Sequence, residues 1–162
     1  MSTPADEAPD SAGGDAGISE VGDGITSELV DGLIDDILIL PYNDPSGAET
    51  LISQHADELA AVIVEPVQGT GGMIPATYEF LSALRETTRK HGILLIFDEV
   101  ISLRLAPGGA QDYFRIIPDL TAMGKFIGGG LPIGAFGGEK TIMSLFDPSK
   151  KGGPVIPHAG SY

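Results

Sequence analysis

Apolar residues in this chain collect in short, uninterrupted runs. Ile37-Leu-Ile-Leu40, Ala60-Ala-Val-Ile-Val64 and Ile93-Leu-Leu-Ile-Phe97 are each too short for a helix and read as buried strands. The segments between them carry helical spacing instead. Leu51, Ile52, His55 and Leu59 share one helical face, with Asp44 as N-cap and Pro45 in the first turn, so residues 45–59 are predicted helical. Pro75 opens a second helix over residues 76–90, with Phe80, Leu81 and Leu84 facing inward and Arg85, Arg89 and Lys90 near its C-terminal end. Gly92 is its expected stop. Asp119–Met123 and Ile133–Phe136 are predicted as further strands, Glu139–Phe146 as a short helix, and residues 68–72 and 147–162 as loops. This βαβαβ alternation predicts an α/β layer fold. Strands that are apolar throughout predict a mostly parallel sheet covered by helices on both faces.

Before Ile37 the pattern fades. Residues 1–24 are rich in Ala, Gly, Asp, Ser and Pro, with too few large apolar side chains to offset chain entropy, and are expected to be disordered. Residues 25–36 alternate apolar and acidic positions and suit a weak helix or a linker. Two regions result: an acidic tail or linker over 1–36 and a folded part over 37–162.

Charge sharpens that division. The net charge is −14, and residues 1–36 hold ten acidic residues and no basic one. A solvating tail explains the bias better than adaptation to high salt, which would spread acid over the whole surface. The balance argues against nucleic-acid binding, which needs a basic footprint. No apolar run approaches the ~20 residues of a membrane span, and no secretory signal pattern opens the chain. Cysteine is absent, which excludes disulfides and thiolate chemistry and suits a cytoplasmic location. His55, His91 and His158 lack metal-ligand spacing, so no metal site is expected.

Ionisable residues follow the strands. In open α/β sheets, ligands bind beyond the carboxyl ends of the strands. Glu65 and Asp98 each directly follow an apolar run, and Lys125 follows the fourth strand after a single glycine. Lys125 sits in Gly124-Lys-Phe-Ile-Gly-Gly-Gly130, whose glycines let backbone approach a flat ligand closely. Such a lysine, facing a carboxylate at the end of a buried strand, is the pair that pyridoxal phosphate chemistry requires. From spacing alone, Lys125 reads more readily as a surface lysine in a loop, while Asp98 reads equally well as a helix cap or salt-bridge partner and Glu65 at least as well as a solvated loop acid. Asp98-Glu99 after a strand also suggests a magnesium site of a nucleotide triphosphatase, but the chain has no Gly-Lys-Ser/Thr phosphate loop before it. Gln111 and Tyr113 are too isolated to rank.

Taken in order, several segments resemble the class III pyridoxal-phosphate-dependent aminotransferases, in particular the glutamate-1-semialdehyde 2,1-aminomutase branch. They are Ala61-Val-Ile-Val-Glu-Pro-Val-Gln68, Leu95-Ile-Phe-Asp-Glu-Val100, Gly108-Gly-Ala-Gln111, Pro118-Asp-Leu-Thr121, Gly124–Gly138 and His158-Ala-Gly-Ser161. The resemblance implies part of the large domain of a fold-type I transferase and amino-group transfer on a small amino acid or amino-aldehyde, in a family that forms homodimers. It makes Lys125 the lysine that forms the aldimine with pyridoxal 5'-phosphate, and Asp98 the partner of the pyridine nitrogen. It packs Val100 on the ring and puts Glu65 on the substrate side. Ser161 stands where the family has a threonine that reaches the cofactor phosphate of the neighbouring subunit.

The departures are as specific. Family enzymes are more than twice this length. Their phosphate-cradling segment and ring-stacking aromatic residue lie upstream of the matched region, and their carboxylate-binding arginine lies downstream. Ile101-Ser-Leu-Arg104 is one residue shorter than the corresponding family turn. The expectation is therefore an enzyme that acts in a complete assembly and a chain that binds pyridoxal phosphate weakly alone. The alternative is a non-catalytic truncated remnant with a structural or interaction role.

Overall fold

The computed structural model describes residues 37–149 and 151–156. The acidic segment 1–36 and the residues His158 and Ser161 lie outside them. Residues 37–40 form neither helix nor strand, although the apolar run predicted one. Pro41 ends the run after four residues, and among the described residues no strand pairs with it.

From Leu40 onward the chain is one compact unit. Helix α1 (Pro45–Gln54) leads to strand β1 (Ala61–Val64), a small hairpin of β2 (Val67–Gln68) and β3 (Ile74–Pro75), and helix α2 (Tyr78–His91). Strand β4 (Leu94–Asp98), helix α3 (Gly109–Phe114) and strand β5 (Leu120–Met123) follow. The last elements are strand β6 (Ala135–Gly138) and helix α4 (Lys140–Met143). Short 3-10 turns occupy Ser102–Arg104, Lys125–Gly128 and Ser144–Phe146.

Local chemistry explains the boundaries. The Asp44 carboxylate accepts the Gly47 N–H at 3.0 Å, capping α1 as expected, with Pro45 in the first turn. The helix stops at Gln54 rather than continuing to residue 59. Thr77, not Pro75, caps α2, its hydroxyl accepting the Phe80 N–H at 3.2 Å. Gly92 ends α2 in the left-handed conformation (φ 72°), which costs glycine nothing.

The principal sheet has the order β1-β4-β5-β6. Strands β1, β4 and β5 run parallel, and β6 returns antiparallel to β5. The α/β fold read from the sequence is therefore present. Among the described residues its predicted covering is present on one face only. Val62, Val64, Leu95 and Phe97 point to that face and pack with Ala48 and Ile52 of α1 and Phe80, Leu81 and Leu84 of α2. Each large side chain buried there stabilises the fold by about 1.5–3 kcal/mol. On the other face Ile63 is 66% exposed, and Phe136 meets Phe146 edge to face at 5.4 Å. Among the described residues no helix is long and apolar enough to cross a membrane.

Candidate functional site

Parallel pairing aligns the carboxyl ends of β1, β4 and β5. Val64 is opposite Phe97, and Asp98 is opposite Ala122. Glu65 is the next residue after β1, Asp98 is the last of β4, and Lys125 lies three residues beyond Ala122. Three of the residues selected from the sequence thus lie at one edge of the sheet because each ends a strand or follows one within two residues.

Asp98 is half-buried, and its Oδ1 accepts the Val100 N–H at 3.0 Å. This local bond turns the chain sharply after β4. The turn brings the Val100 side chain against Gly124, where an added Cβ would stand 3.4 Å from Val100 Cγ2. The turn of Lys125 therefore lies against the corner of Asp98 through Gly124 and Val100.

Lys125 is exposed and has a left-handed backbone, φ 45°. That conformation is uncommon outside glycine and is held where the surroundings fix it. The turn is closed by Ile127 N–H to Gly124 O at 3.3 Å and Gly129 N–H to Phe126 O at 3.1 Å. Gly129 and Gly130, at φ 56° and 101°, carry the chain out of it. The guanidinium of Arg104 lies over the Phe126 ring, 5.4 Å from its centroid. Lys125 and Asp98 form no ion pair with each other among the described residues.

Glu65 is half-buried, and its Oε2 accepts the Gly69 N–H at 2.7 Å. A Cβ on Gly69 would collide with Ile101 Cδ1, so the Glu65 loop also rests on the chain that leaves Asp98. Tyr42 completes this corner. Its hydroxyl donates to the Glu65 carbonyl at 2.9 Å, and its ring meets Phe80 edge to face at 5.2 Å. Burial, together with the nearby Glu65 charge, pushes the Tyr42 phenol up to about 12 against the pull of a backbone hydrogen bond from Gln68.

The acidic pair divides its labour. While Asp98 borders the edge, Glu99 is fully buried and turns inward. Its carboxylate accepts the N–H groups of Ala110 and Gln111, so it caps α3 from ten residues upstream. Gly109, at φ 81°, leaves room for that carboxylate, which an added Cβ would strike. Gln111 donates through Nε2 to both Glu99 and Thr121, each at 3.4 Å. Sequence reasoning missed Tyr42, Arg104 and the capping role of Glu99. The Gly108-Gly109 pair was the one local signal for that role.

A cavity of about 610 Å³ lies elsewhere, lined by Arg89, Gln111, Asp119, Thr121, Met123 and Glu139 among others, but by neither Asp98 nor Lys125. Thr121 and Met123 occupy the face of β5 opposite to Ala122, which shares its face with Asp98. No cluster of metal-ligating side chains occurs among the described residues.

The edge offers a carboxylate, an amine and an apolar side chain wedged against a glycine. That donor set suits a flat heteroaromatic ring carrying an aldehyde: the acid for a ring N–H, the amine for the aldehyde, Val100 for the ring face. The phosphate of such a group finds no assigned donor among the described residues, and Ser161 lies outside them.

A family model described as aminotransferase class-III matches residues 23–158. A glutamate-1-semialdehyde 2,1-aminomutase from Thermomicrobium roseum is 53% identical over 131 residues, which is 80% of this chain and 30% of the relative. The crystal structure of an omega-transaminase from Sphaerobacter thermophilus superposes with a TM-score of 0.77 at 53% identity, covering 83% of this chain and 31% of that one. A transaminase structure with PLP bound gives a TM-score of 0.78 at 40% identity, covering 91% and 35%. The fold is thus part of the large domain these transaminases share, and the chain spans about 30% of the relatives' length.

Proposed function

This chain belongs to the class-III aminotransferase family, and we propose that it carries the catalytic edge for pyridoxal-phosphate-dependent amino-group transfer. The observation that carries the proposal is the pairing of Asp98 with Ala122, which brings the end of β4 beside the strand that leads into Lys125. Bound there, pyridoxal 5'-phosphate supplies an electron-withdrawing ring that stabilises negative charge on the substrate carbon.

The residues of this chain have separate tasks. Asp98, oriented by the Val100 N–H, holds a proton on the ring nitrogen through a charge-assisted bond. Lys125 would hold the cofactor through its aldehyde and, once an incoming substrate amine has displaced it, its freed amine would move a proton at the substrate carbon. Val100 excludes water from one ring face. Glu65 borders the substrate side, held by Gly69. Ser161 donates to the phosphate of a neighbouring subunit in a homodimer. The substrate is a small amino acid or amino-aldehyde, the chemistry that aminotransferases and aminomutases share, and the location is cytoplasmic.

The chain spans about 30% of its relatives' length; with no phosphate donor assigned among the described residues, these residues alone hold the cofactor weakly and turnover is an activity of a complete assembly. A non-catalytic structural or interaction role is the second reading. The test is borohydride trapping with pyridoxal 5'-phosphate followed by peptide mapping. Selective labelling of Lys125 over Lys90, Lys140, Lys150 and Lys151 is expected. Equal labelling of all lysines removes Lys125 from its role and leaves the second reading.

A further inference from the structure

Two contacts tie the Lys125 turn to the corner after β4. One is the packing of Val100 on Gly124. The other joins the ends of two 3-10 turns: Arg104, last in Ser102–Arg104, and Phe126, second in Lys125–Gly128, at 5.4 Å from guanidinium carbon to ring centroid. Arg104 is exposed and Phe126 is 40% exposed, so neither is part of the core. Their contact is a cation–π pair on the surface, where it organises local backbone rather than the fold.

Its position gives it a task. Phe126 directly follows Lys125, whose left-handed backbone (φ 45°) relies on its surroundings to persist. Glycines at 128, 129 and 130 supply no side chain to hold the turn from its far side. The first large side chain after Lys125 is therefore the one that Arg104 covers.

We propose that Arg104 is a positioning residue: by stacking on Phe126 it fixes the backbone from which the Lys125 amine is presented to the edge of Asp98. The functional half of this inference rests on the role proposed for Lys125, and the conformational half does not.

The experiment compares Arg104→Gln, Arg104→Lys, Phe126→Leu and the Arg104→Gln/Phe126→Leu double variant by amide hydrogen exchange without any ligand. The reporting amides are Ile127, Gly129 and Leu131, which close the turn. Loss of an exposed cation–π contact is expected to speed their exchange roughly two- to fivefold. Arg104→Lys keeps a cation and should restore most protection. The double variant should match either single one, because both remove the same contact. Exchange in α2 and β4 should not change. Each protein is then treated with pyridoxal 5'-phosphate and borohydride, and Arg104→Gln should lower the Lys125 share of the label by a similar factor, with recovery in Arg104→Lys. Unchanged exchange in Arg104→Gln, additive singles, or acceleration throughout α2 and β4 would overturn the proposal. Should exchange respond as expected while the parent chain shows no preference for Lys125, the clasp stands and the role of Lys125 falls.

Discussion

Val100 donates its backbone N–H to Asp98 Oδ1 while its side chain packs on Gly124, so one residue both orients the acid and seats the loop of the lysine. Asparagine at 98 keeps the acceptor for that N–H but cannot hold a ring proton as a carboxylate does. We predict that Asp98→Asn leaves the fold intact and raises the pyridoxal 5'-phosphate concentration needed for half-labelling of Lys125 about tenfold, the gap between charge-assisted and neutral hydrogen bonds. Equal half-labelling concentrations for variant and parent would take Asp98 out of the site.

Lys125 is exposed and makes no ion pair among the described residues. Its replacement should therefore cost little stability. For Lys125→Ala we expect an unfolding free energy within about 0.5 kcal/mol of the parent, together with complete loss of the borohydride-stable label from its peptide. Label persisting at parental yield elsewhere in the chain would show that another amine carries the reaction.

Gly109 faces the buried Glu99 carboxylate at a positive φ of 81°. An alanine there meets both backbone strain and the carboxylate that caps α3. Gly109→Ala is predicted to destabilise by about 1–3 kcal/mol, read as a lower denaturant midpoint with an unchanged slope. A midpoint equal to the parent's would mean that Glu99 caps α3 loosely enough to move aside.

Tyr42 adds a pH dependence of defined sign. Its phenol rises to about 12 in the folded chain, so folding favours the protonated form. The stability it contributes is fully present below the unfolded value, about 10, and is lost as pH rises through about 12. Denaturation midpoints of the parent should accordingly fall relative to Tyr42→Phe over that window and run parallel to it below pH 9. Parallel curves up to pH 12 would remove the burial of Tyr42 as the cause.

What the sequence disclosed and what it hid follow from range. Asp44 with Pro45 marked the start of α1, and Gly92 marked the end of α2, because caps act within a few residues. The strands around Ala61–Val64, Leu94–Asp98 and Leu120–Met123 were legible from dense apolar runs, and so was the gathering of acid and amine at their ends. Helix α3 was not, since its cap comes from Glu99, ten residues before its first turn. The hairpin of Val67–Gln68 with Ile74–Pro75 consists of two-residue strands, too short to show a period. Ile37–Leu40 had the composition of a strand without a partner to pair with. The Arg104–Phe126 contact spans 22 positions and leaves no trace in any local pattern.

The half-covered sheet governs how this polypeptide behaves in a tube. Ile63 of β1 stands in water, and among the described residues the outer edges of β1 and β6 have no partner strand. Greasy surface next to open hydrogen-bonding edges invites stacking of molecule on molecule. Its solubility therefore depends on concentration, and any polypeptide that laid a helix across Ile63 would keep it dispersed.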